Sequence, residues 1–252
     1  MGNSVLIVGA GFGLSASLAR LFSREGMSVI LASRNIAKLE PIAAETGADL
    51  HQCDASNIED VNRLFAGLDK NVGTPDLVIY NPSAAVRGPI QDLDPEKTKD
   101  AINITCYGAF LVAQQASKRM LELGHGSIFF TGATAGVKGF SNSSVFAMGK
   151  FGLRGLAQSL ARELHPKNIH IGHFVIDGGI HSTHRPERHG NGNDNMLDPD
   201  ELAKTYLQFH RQHRSAWAWE VELRPWVESF YCLLYTSPSP RDVEESRMPS
   251  SA

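Results

Sequence analysis

The chain has 252 residues, 42% of them hydrophobic and 20% charged, enough for one globular domain or two small ones with a full core and too apolar for a disordered tail or a fibre. Twenty-four Lys and Arg against 27 Asp and Glu give a formal charge of −3, which argues against the broad basic face of a nonspecific nucleic-acid binder. Cys53, Cys106 and Cys232 are odd in number and far apart, so neither a disulfide framework nor a paired-cysteine zinc site is expected, and a reducing, cytoplasmic setting is.

In chain order, the first apolar run, residues 5–8, has no basic stretch before it and is far shorter than the roughly 18 residues of a membrane span, so neither export nor a membrane partner is expected. Met1-Gly2 fails the myristoylation pattern because Leu6 stands where Ser or Thr is required. Residues 5–8, 29–32, 77–80, 128–131 and 169–176 are short apolar runs rich in β-branched residues, and such runs, apolar on both faces, belong in a parallel sheet covered by helices. Between them lie amphipathic stretches. Gly26 is expected to end the first helix and Pro41 to shorten or kink the second; Ser56-Asn57-Ile58-Glu59 reads as a capping box, and Asp94-Pro95 and Asp198-Pro199 as caps followed by a first-turn proline. This alternation, from residue 4 to about residue 176, predicts an α/β fold: a single Rossmann-type doubly wound parallel sheet with helices on both faces.

Ala109, Val112, Ala113 and Ala116 form a small-residue stripe on the long fourth helix, suited equally to packing between subunits and to packing on the parent sheet. Residues 181–195 read as a mobile polar loop that covers a substrate, and Trp217, Trp219 and Trp226, with Leu223 and Pro225, as a packed late strand and its flank rather than a nucleic-acid stacking platform. Beyond Phe230 all periodicity ends, and Ser237-Pro238-Ser239-Pro240-Arg241-Asp242 reads as part of a translated adapter of the kind found at the ends of assembled transcripts. Residues 1–230 are thus expected to form one domain and residues 231–252 a disordered, non-native tail replacing the true carboxyl terminus.

Gly9-Ala10-Gly11-Phe12-Gly13 follows the first strand directly and opens a helix carrying Ala16, Leu18, Ala19, Leu21 and Phe22. Glycines there allow a tight turn and let the backbone approach a pyrophosphate seated on the helix amino terminus. At the end of the second strand a free ribose 2′-hydroxyl calls for an acid and a 2′-phosphate for a cation. The residues are Ala32-Ser33-Arg34, so a hydroxyl and a guanidinium fork favour NADP over NAD.

These residues resemble the short-chain dehydrogenase/reductase family over about residues 4 to 230, with Ser15 where its last glycine usually stands. The resemblance implies that Asp54-Ala55, after the third strand, holds the adenine, that Asn81 in Asn81-Pro82-Ser83-Ala84 lies in the turn under the cofactor, and that Asp177-Gly178-Gly179-Ile180 meets the nicotinamide amide through its backbone. Phe146-Ala147-Met148-Gly149-Lys150 resembles the helix that carries the family's Tyr-x-x-x-Lys motif. Matched residue by residue, the proton-donating tyrosine falls on Phe146, the serine that orients the substrate oxygen on Ala133 and the helix asparagine on Thr105; Lys150 remains, with a ribose contact implied. In the family mechanism hydride passes from nicotinamide to a carbonyl carbon while the tyrosine protonates the alkoxide. Phenylalanine has no proton to give.

Substitutes are sought in Thr134, Thr105, Ser143, Ser144, His181 and His184; hydroxyls are poor acids near neutral pH, whereas histidine titrates in the right range. Thr134 also reads as a turn residue whose hydroxyl bonds locally. His181, His184 and His189 have no carboxylate or cysteine at ligand spacing, so no metal is expected. The expectation is an NADP-dependent oxidoreductase of this type acting on a small carbonyl or alcohol by an altered proton-transfer route. The rival is a catalytically silent NADP-binding protein serving as a sensor or partner subunit. Cofactor contacts are expected at Gly9, Gly11, Phe12, Gly13, Ser33, Arg34, Asp54, Ala55, Asn81, Lys150, Gly178 and Ile180, and catalytic roles at Lys150, Thr134 and Thr105. A small-molecule substrate and, from the resemblance, a homodimer or homotetramer complete the expected partners.

Overall fold

The strands β1 (Ser4–Val8), β2 (Ser28–Ser33), β3 (Asp49–Gln52), β4 (Leu77–Tyr80), β5 (Gly126–Thr131), β6 (Ile169–Ile176) and β7 (Glu220–Leu223) pair in parallel throughout, in the order β3-β2-β1-β4-β5-β6-β7. They belong to a computed structural model that describes residues 3–227, so the expected tail at 231–252, and Cys232 with it, lie outside the described residues.

The period of two along each strand divides the core between two helical layers. Val5, Ile7, Leu31, Phe129 and Phe174 meet α1 (Leu14–Arg24), α2 (Glu40–Thr46) and α7 (Pro199–His210) on one face. Leu6, Val8, Val78, Ile128 and Phe130 meet α3 (Ile58–Asn71), α5 (Gly108–Leu123) and α6 (Ser144–Leu164) on the other. The short α4 (Pro95–Ile102) runs into α5 through a π-helical turn, Asn103–Tyr107.

Each apolar run lies within a strand. β3 escapes that criterion because Asp49-Leu50-His51-Gln52 is a polar edge strand, paired only through Ile30 to Ser33. Helix starts follow their chemistry: Asp94 accepts from the Glu96 and Lys97 amides, and Asp198 from the Asp200 amide. The expected capping box is displaced by one residue. Asn57, not Ser56, caps α3 by accepting from the Asp60 amide, because the Ser56 hydroxyl is already donated to Asp54. Pro41 falls in the first turn of a seven-residue α2, where its missing N–H costs nothing. Ala109, Val112, Ala113 and Ala116 are all buried in the core against the sheet, so of the two packings open to the stripe it is the one on the parent sheet that the fold uses.

Strand order reverses between β1 and β4, and in open α/β sheets such a reversal leaves a crevice at the carboxyl ends of the strands. The glycine loop after β1 and the Asn81 turn after β4 are its two lips.

Candidate active site

A cavity of about 1250 Å³ opens at that reversal. On its β1 side the chain turns at Gly9, whose φ is +77° and whose N–H donates to the Ala32 carbonyl at 2.9 Å. A Cβ there would stand 2.5 Å from Pro82 Cγ. Gly11 and Gly13 are different: an added Cβ would meet nothing within 4 Å, although both line the cavity. α1 begins at Gly13 without a side-chain cap and without an acid in its first turn, so its positive end is available to an anion. Ser15 is buried and accepts from Asn81 Nδ2 at 2.7 Å, bolting the start of α1 to the end of β4. Phe12 packs against His184, ring centroids 4.5 Å apart.

At the β2 end, Ser33, Arg34 and Lys38 line the cavity, and among the described residues no carboxylate pairs with either cation. Asp54 and Ala55 lie beside them. Asp54 Oδ1 accepts from the Ser56 amide at 3.0 Å and hydroxyl at 2.6 Å, which fixes the carboxylate at the cavity wall. Burial pushes the neighbouring Cys53 thiol up to about 12, which makes it unreactive at neutral pH.

At the β5 and β6 end, Ala133, Phe146, Lys150 and Thr134 come together on the cavity wall with Gly178 and Ile180. Lys150 is fully buried on α6, its Nζ donates to the Thr131 carbonyl at 2.7 Å, and burial lowers its pKa to about 7. Thr134 donates its hydroxyl to Asp177, and Asp177 is in turn paired with Arg224 at 3.2 Å. Thr105 lies in the π-helical turn outside the cavity lining; its Oγ1 accepts from the Ala84 amide at 3.0 Å and donates to the Ala84 carbonyl at 3.3 Å. His181 and His184 line the cavity. The base of their loop is closed by paired hydrogen bonds, His181 N to Leu197 O and Leu197 N to Gly179 O, both 2.8 Å.

Two features lay beyond the sequence reading. Arg87, six residues after Asn81, reaches the cavity and stacks over Phe146; a cation in the segment after β4 was its only signal. His173, fully buried on β6, shares Glu220 with Arg154: its Nδ1 lies 2.9 Å from Glu220, while its Nε2 has no partner. Histidine at 170 and 173 inside an otherwise apolar strand was the visible sign.

Residues 3–189 match the family model described as short chain dehydrogenase. The chain belongs to the short-chain dehydrogenase family. It is 28% identical over 237 residues to the sepiapterin reductase of Chlorobaculum tepidum, covering 89% of this chain and 97% of that one. A short-chain dehydrogenase from Rhodopseudomonas palustris is 35% identical with a TM-score of 0.77, covering 89% of this chain and 99% of that one. An alcohol dehydrogenase of the archaeon Thermococcus sibiricus, solved with 5-hydroxy-NADP, shares the fold at 20% identity with a TM-score of 0.79, covering 91% of this chain and 99% of that one. Among the described residues, no group of three His, Cys, Asp or Glu is gathered to hold a metal, and no helix is long and apolar enough to cross a membrane.

Proposed function

We propose that this short-chain dehydrogenase is an NADP-dependent oxidoreductase acting on a small carbonyl or alcohol, with an altered proton-transfer route, in a cytoplasmic setting. The observation that carries the reading is the glycine end of the cavity, where Gly11 and Gly13 leave space beside the uncapped start of α1 and Arg34 and Lys38 stand without a carboxylate partner among the described residues. On this reading Gly9, Gly11, Phe12 and Gly13 surround the pyrophosphate, Ser33 and Arg34 take the 2′-phosphate, and Asp54 and Ala55 take the adenine. Asn81 underlies the cofactor, Gly178 and Ile180 offer backbone to the nicotinamide amide, and Lys150 holds the ribose. The 5-hydroxy-NADP in the Thermococcus sibiricus relative agrees with this choice of cofactor.

When bound, NADPH supplies the hydride, and the chain's work is to orient the carbonyl and manage one proton. Lys150 Nζ, brought down to about 7 by burial, can exchange a proton near neutrality, the condition for effective general acid catalysis. It replaces the missing tyrosine directly or through a water. Thr134 and Thr105 act as positioning residues, since their hydroxyls are committed to Asp177 and Ala84. A homodimer or homotetramer goes with this reading, supported by Tyr107, Phe110, Met148 and Phe151, which leave 45%, 42%, 56% and 44% of their surface exposed at the start of α5 and on α6.

A second reading, a silent NADP-binding sensor or partner subunit, is favoured by the two apolar residues, Phe146 and Ala133, on the wall where a proton donor and its serine would stand. Fluorescence titration with NADPH, followed by a carbonyl panel, separates the two. Turnover of any panel member supports the oxidoreductase, and binding without turnover supports the silent protein. Failure to bind NADPH contradicts both.

A further inference from the structure

We infer that the substrate is a carbonyl compound bearing a carboxylate one or two carbons from the reacting carbonyl, a 2-oxo or 3-oxo acid, and that Arg87 receives the carboxylate. This rests on the oxidoreductase reading and narrows its substrate class.

The cavity lining carries six cations, Arg34, Lys38, Arg87, Lys150, Arg185 and Arg188, against a single carboxylate, Asp54, in a chain whose formal charge is −3. Arg34 and Lys38 stand at the β2 end, where a 2′-phosphate accounts for them. Arg87 stands elsewhere. Its guanidinium carbon lies 5.9 Å from the centroid of the Phe146 ring, the position on which the family's proton donor falls. An anion held there is therefore next to the reacting carbonyl, which sets the short spacing between the two groups.

Arg87 is also held in place. Its Nη1 donates to Ser143 Oγ at 3.2 Å, and Ser143 is itself buried. Gly88, the next residue, donates its N–H to the Asn142 carbonyl at 3.0 Å, tying the segment after β4 to the start of α6. Among the described residues no carboxylate lies within ion-pair distance of Arg87. A guanidinium has five N–H donors in a planar fork that matches a carboxylate with two parallel bonds. The Ser143 bond and the Phe146 face orient this exposed side chain along the cavity wall and leave the rest of its fork open to an anion.

Such a substrate fits the exchange of tyrosine for Phe146. A fixed positive charge beside the carbonyl oxygen lowers the energy of the developing alkoxide. Arginine does not give up its proton near neutral pH, so Arg87 binds and polarises while the proton comes from Lys150 or water.

The test uses three compounds of similar size, a 2-oxo acid, its methyl ester and a phosphorylated hydroxyketone, together with calorimetric titration of oxamate, an unreactive 2-oxo acid mimic, into the protein with and without NADPH. The acid should be preferred over the ester by tenfold or more in kcat/KM. Arg87→Gln should raise KM for the acid and Kd for oxamate by roughly tenfold to a hundredfold, the loss of one charge-assisted pair, while the acid-to-ester preference collapses and NADPH affinity stays within twofold. Arg87→Lys, which keeps the charge and loses the fork, should fall between. Reduction of the ester as fast as the acid, preference for the phosphorylated ketone, absence of oxamate binding, or oxamate binding unmoved by Arg87→Gln would each overturn the inference. The first two outcomes leave the oxidoreductase reading standing. Arg87-dependent oxamate binding without turnover of any compound supports the anion site and counts against the oxidoreductase.

Discussion

At the glycine end of the cavity, what the chain offers a ligand is backbone, open space and two cations: Gly11 and Gly13 face nothing within 4 Å, and Arg34 and Lys38 have no carboxylate partner among the described residues. At the Phe146 end side chains line the wall, and two of them already hold internal partners, Thr134 with Asp177 and Lys150 with the Thr131 carbonyl. Recognition built from backbone depends little on side-chain identity, and beside it Ser15 accepts from Asn81 Nδ2, tying the start of α1 to the end of β4. Chemistry built from one hydroxyl does not survive its loss. One end of the cavity thus depends on shape and the other on residue identity.

The largest effect expected from this contrast is a gain. Phe146→Tyr combined with Ala133→Ser should raise turnover of an activated carbonyl such as a diketone by about 10² or more, the usual worth of a positioned general acid. Steady-state kinetics with NADPH in excess measures it. No gain in a variant that still binds NADPH would mean that the Phe146 end has lost its substrate geometry as well as its acid.

Two glycines sharpen the other half. Gly11→Val places a side chain in open space, so the melting temperature should hold while NADPH affinity falls by roughly tenfold to a hundredfold, the effect of about 1–3 kcal/mol of crowding. Gly9→Ala combines a φ of +77° with a contact 2.5 Å from Pro82 Cγ, and should instead lower the melting temperature, by about 2–4 °C for each kcal/mol of strain in a domain of this size. If both substitutions act on stability alone, the open space at Gly11 is not a ligand's.

Acid should expose the buried histidines. Burial holds His173 at about 4, against a pull upward from Glu220 and a push downward from Lys150 and Arg154, and burial likewise holds His170 at about 4. Because both pKa values lie below the unfolded value near 6.5, the unfolded chain binds more protons in that window, so stability is full above pH 6.5 and is lost as pH falls toward 4. Melting temperatures across pH 7 to 4 should show this decline, and His173→Gln should make it shallower. An equal slope in the variant would remove His173 from the account.

The smallest effect belongs to Thr134→Val. Removal of one hydrogen bond to the Asp177 carboxylate costs about 1.5–3 kcal/mol of stability, whereas turnover should change less than threefold. A loss near a hundredfold would return Thr134 to the role of proton donor.

Much of this was legible in the sequence, for identifiable reasons. Strands buried on both faces announce themselves as apolar runs, and Asp94-Pro95 and Asp198-Pro199 mark helix starts because the cap and the first-turn proline are local devices. β3 was not legible as an apolar run because an edge strand can be polar. The cap at Asn57 was misplaced because Ser56 has a competing partner in Asp54. The commitment of Thr134 and Thr105 to internal partners was not legible, since Asp177 and Ala84 are 43 and 21 residues away. Arg87 over Phe146 spans 59 residues of chain (146 minus 87), a juxtaposition that only the fold creates.

The central claim, that the glycine end remains a working NADP site, is tested most directly by the ratio of dissociation constants for NADPH and NADH, measured by fluorescence in the native protein and in Arg34→Asp. The account predicts NADPH tighter by roughly tenfold to a hundredfold, as expected for one charge-assisted pair to the 2′-phosphate, and a ratio that collapses or inverts in the variant. Equal affinities in the native protein, or a ratio unmoved by Arg34→Asp, would contradict it.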